Sequence, residues 1–103
     1  MRQVIVRYKV KPDRVEENER LVRAVYEELD GSDPGGLRYG TFKLDDGVSF
    51  VHLAASEEGR NPLTDIQAFQ EFQRNIEERC DEPPVLTVLE QVGSYRLFDP
   101  EAE

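Results

Sequence analysis

Residues 37–55, "LRYGTFKLDDGVSFVHLAA", decide the fold. Two runs rich in β-branched and aromatic residues, "LRYGTFKL" and "VSFVHLAA", are joined through Asp45, Asp46 and Gly47, and Asp-Gly between such runs is a strong hairpin signal because glycine accepts the positive φ of a tight turn. The reading is strand, turn, strand. Alternation along the return strand puts Phe50 and His52 on one side and Val51 and Leu53 on the other.

Upstream, "QVIVRYKV" (3–10) alternates strictly, with Val4, Val6, Tyr8 and Val10 on one face and Gln3, Ile5, Arg7 and Lys9 on the other. Pro12 and Asp13 stop this strand. Asp13 and Glu16 have the spacing of a reciprocal helix N-cap, and Val15, Val22, Val25, Tyr26 and Leu29 recur at helical spacing towards a C-terminal cap at Gly31. The turn-rich "GSDPGG" (31–36) returns the chain to the hairpin. Downstream, Ile66, Phe69, Phe72, Ile76 and Cys80 form the apolar stripe of a second helix, which Pro83 and Pro84 bar from continuing. "VLTVLEQV" (85–92) reads as a last strand, Gly93 as a bend, and "SYRLF" (94–98) as a strand-like extension. Residues 1–98 therefore form a single domain, and 99–103 an acidic tail.

The order strand, helix, strand, strand, helix, strand is that of the α+β, ferredoxin-like βαββαβ unit, with both helices on one face of an antiparallel sheet. The other face is left open. Ile5, Phe42, Val51, Leu53 and Leu89 make the strands apolar on both sides, whereas a half-solvated sheet shows a polar wet face. A second copy of the chain is the expected cover, giving a homodimer through the open face.

Composition narrows the partners. Thirteen Lys and Arg against 22 Asp and Glu give a formal charge of -9, which repels phosphate backbones and anionic lipid, so neither nucleic acid nor membrane is expected. The single Cys80 allows no intrachain disulfide and lacks companions at zinc-ligand spacing, so no metal is expected. No stretch has the length of a membrane span or the apolar core of a signal peptide, and the expected compartment is the reducing cytoplasm.

The strand ending in "KVKPD", the hairpin "RYGTFKLDDGVSFVHLAA" and the run "EFQRNIEERCDEPPVLTVLEQVGSYRLF" together resemble the antibiotic-biosynthesis-monooxygenase-like group of the dimeric α/β-barrel superfamily. The resemblance covers nearly the whole chain. It implies two ferredoxin-like subunits whose sheets pack into a barrel, each with a small cavity, and a cofactor-independent monooxygenase of phenolic or quinol-type molecules. The chain has no Trp, and Asn18, Asn61 and Asn75 fall on predicted helices or a loop, so the haem-degrading relatives fit least.

His52 is the first catalytic candidate, since imidazole titrates near neutrality and suits proton abstraction. Its alternative is a strand residue whose nitrogens are satisfied by hydrogen bonds. Arg7 is the second, its planar fork suiting a phenolate or carboxylate, with an ion pair to Glu90 or to a second subunit as the alternative. Tyr39, Phe42, Phe50 and Tyr95 are the aromatic candidates for contacting a flat ligand, or for packing at an interface. The alternative for the whole chain is a non-catalytic ligand-binding or assembly module.

Overall fold

The alternating N-terminal run forms strand β1, Arg2–Val10, in a computed structural model that describes residues 1–98; the acidic tail expected at 99–103 lies outside them. Helix α1 (Val15–Ser32), strands β2 (Leu37–Lys43) and β3 (Ser49–Ser56), helices α2 (Gln67–Gln73) and α3 (Ile76–Arg79), and strand β4 (Cys80–Leu89) follow. The sheet is antiparallel in the order β2-β3-β1-β4, the ferredoxin-like arrangement expected from the sequence. No helix among the described residues is long and apolar enough to cross a membrane.

The hairpin turn closes on Asp46, whose carboxylate accepts the N–H groups of Val48 and Ser49 at 3.0 and 2.8 Å and the Ser49 hydroxyl at 2.6 Å. Gly47 supplies the positive φ, 77°. Register then fixes the faces. Val6 pairs with His52 and Tyr8 with Phe50, so these four side chains share the side on which the helices pack. Tyr8, Val10 and Phe50 meet Val22 and Val25 of α1 and Phe72 of α2 in the core, with Leu63, Ile66 and Cys80 completing it. Arg7, paired with Val51, points the other way.

Three boundaries differ from the sequence reading. The capping pair at Asp13 and Glu16 does not form: Pro12–Arg14 make a 3-10 turn, as a proline at the first helical position favours, and α1 starts behind it. Its C-terminus is set not by Gly31, which stays helical, but by Asp33 in the left-handed region, φ 45°, whose N–H bonds to the Leu29 carbonyl. The second helix breaks in two. Arg74 is extended and Asn75 is left-handed at φ 58°, so of the expected stripe Phe69 and Phe72 fall in α2 and Ile76 in α3, while Ile66 precedes α2 and Cys80 already begins β4.

Arg79 explains that break. Its side chain is 2% exposed, and no carboxylate neutralises it among the described ion pairs. It donates instead to the carbonyls of Phe72 at 2.7 Å and Arg74 at 3.3 Å, groups that a continuous helix would have kept for itself, and lies over the Phe72 ring at 5.4 Å. These bonds engage both Nη atoms, whereas the buried Nε has no hydrogen-bond partner among the described residues.

Strand β4 begins at Cys80 rather than after the prolines. Pro83 and Pro84, which lack N–H groups, sit where pairing with β1 slips between Lys9↔Glu82 and Arg7↔Val85, the place an edge strand tolerates them. Val85, Leu86, Val88 and Leu89 remain exposed on both sides of this edge. The expected strand at "SYRLF" does not form within the subunit. Arg96 and Phe98 take positive φ, and the segment after Leu89 turns back so that Phe98 meets Phe42 of β2, ring centroids 5.5 Å apart.

Replacing Arg79 by Ala leaves two carbonyls without a donor in the core, and is expected to lower the urea unfolding free energy by about 3 kcal/mol. Arg23→Ala, at an exposed helical pair, should change it by less than about 0.5 kcal/mol. Equal effects from the two substitutions would remove Arg79 from its structural role.

Candidate functional site

His52, at 5% exposure, lies between two phenols. Its Nε2 is 2.7 Å from the Tyr8 hydroxyl, and its Nδ1 is 2.6 Å from the Tyr39 hydroxyl and 3.3 Å from Thr41 Oγ1. Each element contributes by its register. Tyr8 and His52 come from the helix-facing rows of β1 and β3, and Thr41 pairs directly with His52 across the β2–β3 ladder. From α1, Asn18 Nδ2 donates to the Tyr8 hydroxyl at 3.0 Å, and Tyr26 shares a 2.7 Å hydrogen bond with Thr41. Arg79 Nη2 donates to Asn18 Oδ1 at 3.4 Å. The polar chain therefore runs from Arg79 to Tyr39, and Tyr26 adjoins it through Thr41.

An aromatic sheath encloses it. Phe72 lies 5.3 Å from the His52 ring, Phe50 stacks on Tyr8 at 5.6 Å, and Tyr26 stacks on Tyr39 at 5.3 Å with Phe69 edge-on to Tyr39. Burial depresses the His52 pKa to about 4, so the imidazole is neutral at neutral pH. The Tyr8 and Tyr39 hydroxyls are pushed up by the same desolvation and stay protonated. Exposure falls along the cluster, from half-buried Tyr26, Tyr39, Thr41 and Phe69 to buried His52, Phe72 and Tyr8, so its accessible end is at Tyr39.

On the open face, β2, β3 and the returning segment Glu90–Phe98 enclose a cavity of about 660 Å³. Phe42, Leu53, Leu89, Leu97 and Phe98 give it an apolar lining, with Gln3 and Arg38 as polar members. The Tyr39 side chain lies on the opposite, helix-facing side with Thr41 and His52, stacked on Tyr26, so the sheet separates its hydroxyl from this cavity. Among the described residues no group of His, Cys, Asp or Glu is placed to hold a metal ion.

The residues nominated from sequence separate accordingly. His52, Tyr39 and Phe50 come together on the helix side, although Phe50, at 2% exposure, is core packing. Phe42 lines the cavity. Arg7 is exposed on the open face, so the sheet separates it from His52. Tyr95 is 84% exposed, carries the Arg96 guanidinium over its ring at 5.3 Å, and does not line the cavity. Asn18, Arg79, Tyr8, Thr41 and Tyr26 were not nominated. Two carried a signal: Asn18 lies three residues after Val15 and four before Val22, and Arg79 three after Ile76, so both are polar side chains on apolar helical stripes.

No protein-family model matches the chain, and no curated protein matches it in sequence. Solved structures do share its shape. A proposed antibiotic biosynthesis monooxygenase of Nitrosomonas europaea is 18% identical with a TM-score of 0.72, over 90% of this chain and 100% of that one. A further structure described as an antibiotic biosynthesis monooxygenase is 20% identical with a TM-score of 0.67 over the same shares, 90% and 100%. Rv0793 from Mycobacterium tuberculosis is 19% identical with a TM-score of 0.68, over 90% of this chain and 96% of its own. At these identities the likeness establishes the fold, and the resemblance of the sequence to the monooxygenase-like group is borne out at that level.

The depressed His52 pKa sets a pH dependence of stability. The unfolded chain binds a proton near the ordinary histidine value of 6.5, whereas the folded one does so only near 4. Stability is therefore full above 6.5 and falls as pH drops from 6.5 to 4, by up to about 3 kcal/mol, with no further loss from this group below. Glu17, held down by Arg14, and Asp46, held near 2 by its Ser49 and Val48 bonds, lose their contributions only in the carboxylate range. Urea titrations of the parent and His52→Gln at a series of pH values check this: the variant's stability should be flat between about pH 6.5 and 5. Parallel curves would show that His52 is not the titrating group.

Proposed function

We propose that the chain works as a homodimer that binds a flat phenolic or quinol-type molecule and oxidises it with molecular oxygen, without metal or organic cofactor. The observation that carries this reading is the apolar cavity on the open face, lined by Phe42, Leu53, Leu89 and Phe98. The shared fold with structures described as antibiotic biosynthesis monooxygenases supports the same class. The apolar residues left exposed on the open face, Val85, Leu89 and Phe42, support a second subunit as cover.

The chemistry requires the substrate to be its own electron source. An activated methylene flanked by aromatic rings gives up four electrons and becomes a carbonyl; one oxygen atom of O2 ends there, and the other leaves as water with the two methylene protons. The protein's part is to hold the electron-rich anion that reacts with oxygen. Hydrogen bonds placed in a water-poor site serve this well, because they need no reorganisation when charge develops. A neutral imidazole with a pKa near 4 has little driving force as a base at neutral pH, so the reading does not assign proton abstraction to His52 and gives the substrate's oxygen to the polar lining of the cavity, Gln3 and Arg38. Arg7, on the open face, is assigned to the subunit interface or its rim.

A non-catalytic ligand-binding or assembly module is the second reading. It is favoured by the partner that each His52 nitrogen already has, as a structural histidine would.

Oxygen uptake by the purified protein on a panel of quinols and anthrones separates the two. The monooxygenase reading expects uptake by the parent. No uptake by folded protein across the panel leaves the binding module. Light scattering should give about twice the 11.9 kDa chain mass. A monomer at micromolar concentration would overturn the dimer.

A further inference from the structure

Arg79 never touches His52, yet it dictates which imidazole nitrogen carries the proton. A guanidinium only donates, so the Asn18 atom facing it is the acceptor Oδ1, and the amide Nδ2 is thereby directed at Tyr8. The Tyr8 oxygen accepts that N–H, which leaves its own proton to be donated. Its remaining partner is His52 Nε2, at 2.7 Å, so Nε2 must accept. A neutral imidazole whose Nε2 accepts has its proton on Nδ1, which then donates to the Tyr39 oxygen at 2.6 Å, with Thr41 Oγ1 a weaker second acceptor at 3.3 Å.

We propose that Arg79, through Asn18 and Tyr8, locks His52 in the Nδ1–H tautomer, so that Nδ1 donates to the Tyr39 oxygen. Asn18 and Arg79 are positioning residues in this scheme. The opposite tautomer would set two donors, Asn18 N–H and His52 Nε2–H, against the Tyr8 oxygen and leave the Tyr8 proton without an acceptor in a buried site. His52 is depressed by burial to a pKa of about 4, in keeping with a ring that holds one proton rather than two.

The single histidine makes the lock directly readable by nitrogen NMR of the ligand-free, 15N-labelled protein, since every imidazole signal belongs to His52. At neutral pH the parent should show a protonated Nδ1 and an unprotonated Nε2. Asn18→Asp, of nearly the same size, supplies a carboxylate that accepts from both Arg79 and the Tyr8 hydroxyl, so Tyr8 turns round and the tautomer should invert to Nε2–H. Asn18→Leu, which imposes no direction, should give a mixture. A parent already protonated on Nε2, or an Asn18→Asp protein with the parent pattern, overturns the lock.

Discussion

A guanidinium taken out of water without a carboxylate has to find its acceptors among neutral dipoles, and that constraint organises this small protein. Arg79 finds them in the carbonyls of Phe72 and Arg74 and in the side chain of Asn18. The first two require the second helix to end early. The third ties α1 to α3 across the core, a contact between residues far apart in sequence. The left-handed Asn75 makes the turn between α2 and α3 that brings Arg79 back onto the carbonyls it satisfies. Because an amide has one acceptor end and one donor end, fixing one end orients the other, and a charge at a helix break reaches a histidine in the sheet.

The sheet was legible in the sequence because period-two alternation is a strong local signal. Val4, Val6 and Tyr8 on one side and Ile5 and Arg7 on the other were assigned correctly, and the Asp46-Gly47 turn fixed the hairpin. The helix ends were less legible. The stripe from Ile66 to Cys80 is periodic enough for one helix, and nothing local in it says that an arginine will be buried seven residues after Phe72 and compete for its carbonyl. Similarly, "SYRLF" has the composition of a strand, but strand formation needs a neighbour, and in the subunit the chain instead turns back to place Phe98 on Phe42.

The site was half legible. His52 could be nominated, as the only imidazole, but its surroundings depend on register and on which face the helices cover. Both hydroxyls that hold it come from other strands. Arg7 looked close because it lies one residue from Val6, which pairs with His52; that single step is what carries it to the far side of the sheet. Asn18 and Arg79 could have been noticed as polar intrusions on apolar stripes, although only the packing of the two helices reveals that they meet.

The two adjacent prolines in β4 bear on something other than the site. An edge strand with free N–H and C=O groups is a template on which another chain can build a continuous sheet, and from there a fibre. Pro83 and Pro84 remove the donors from the first half of that template and slip its register, so strand addition is confined to the short apolar run that follows. A protein with this many uncovered apolar side chains along one edge is thus steered away from open-ended, edge-to-edge growth.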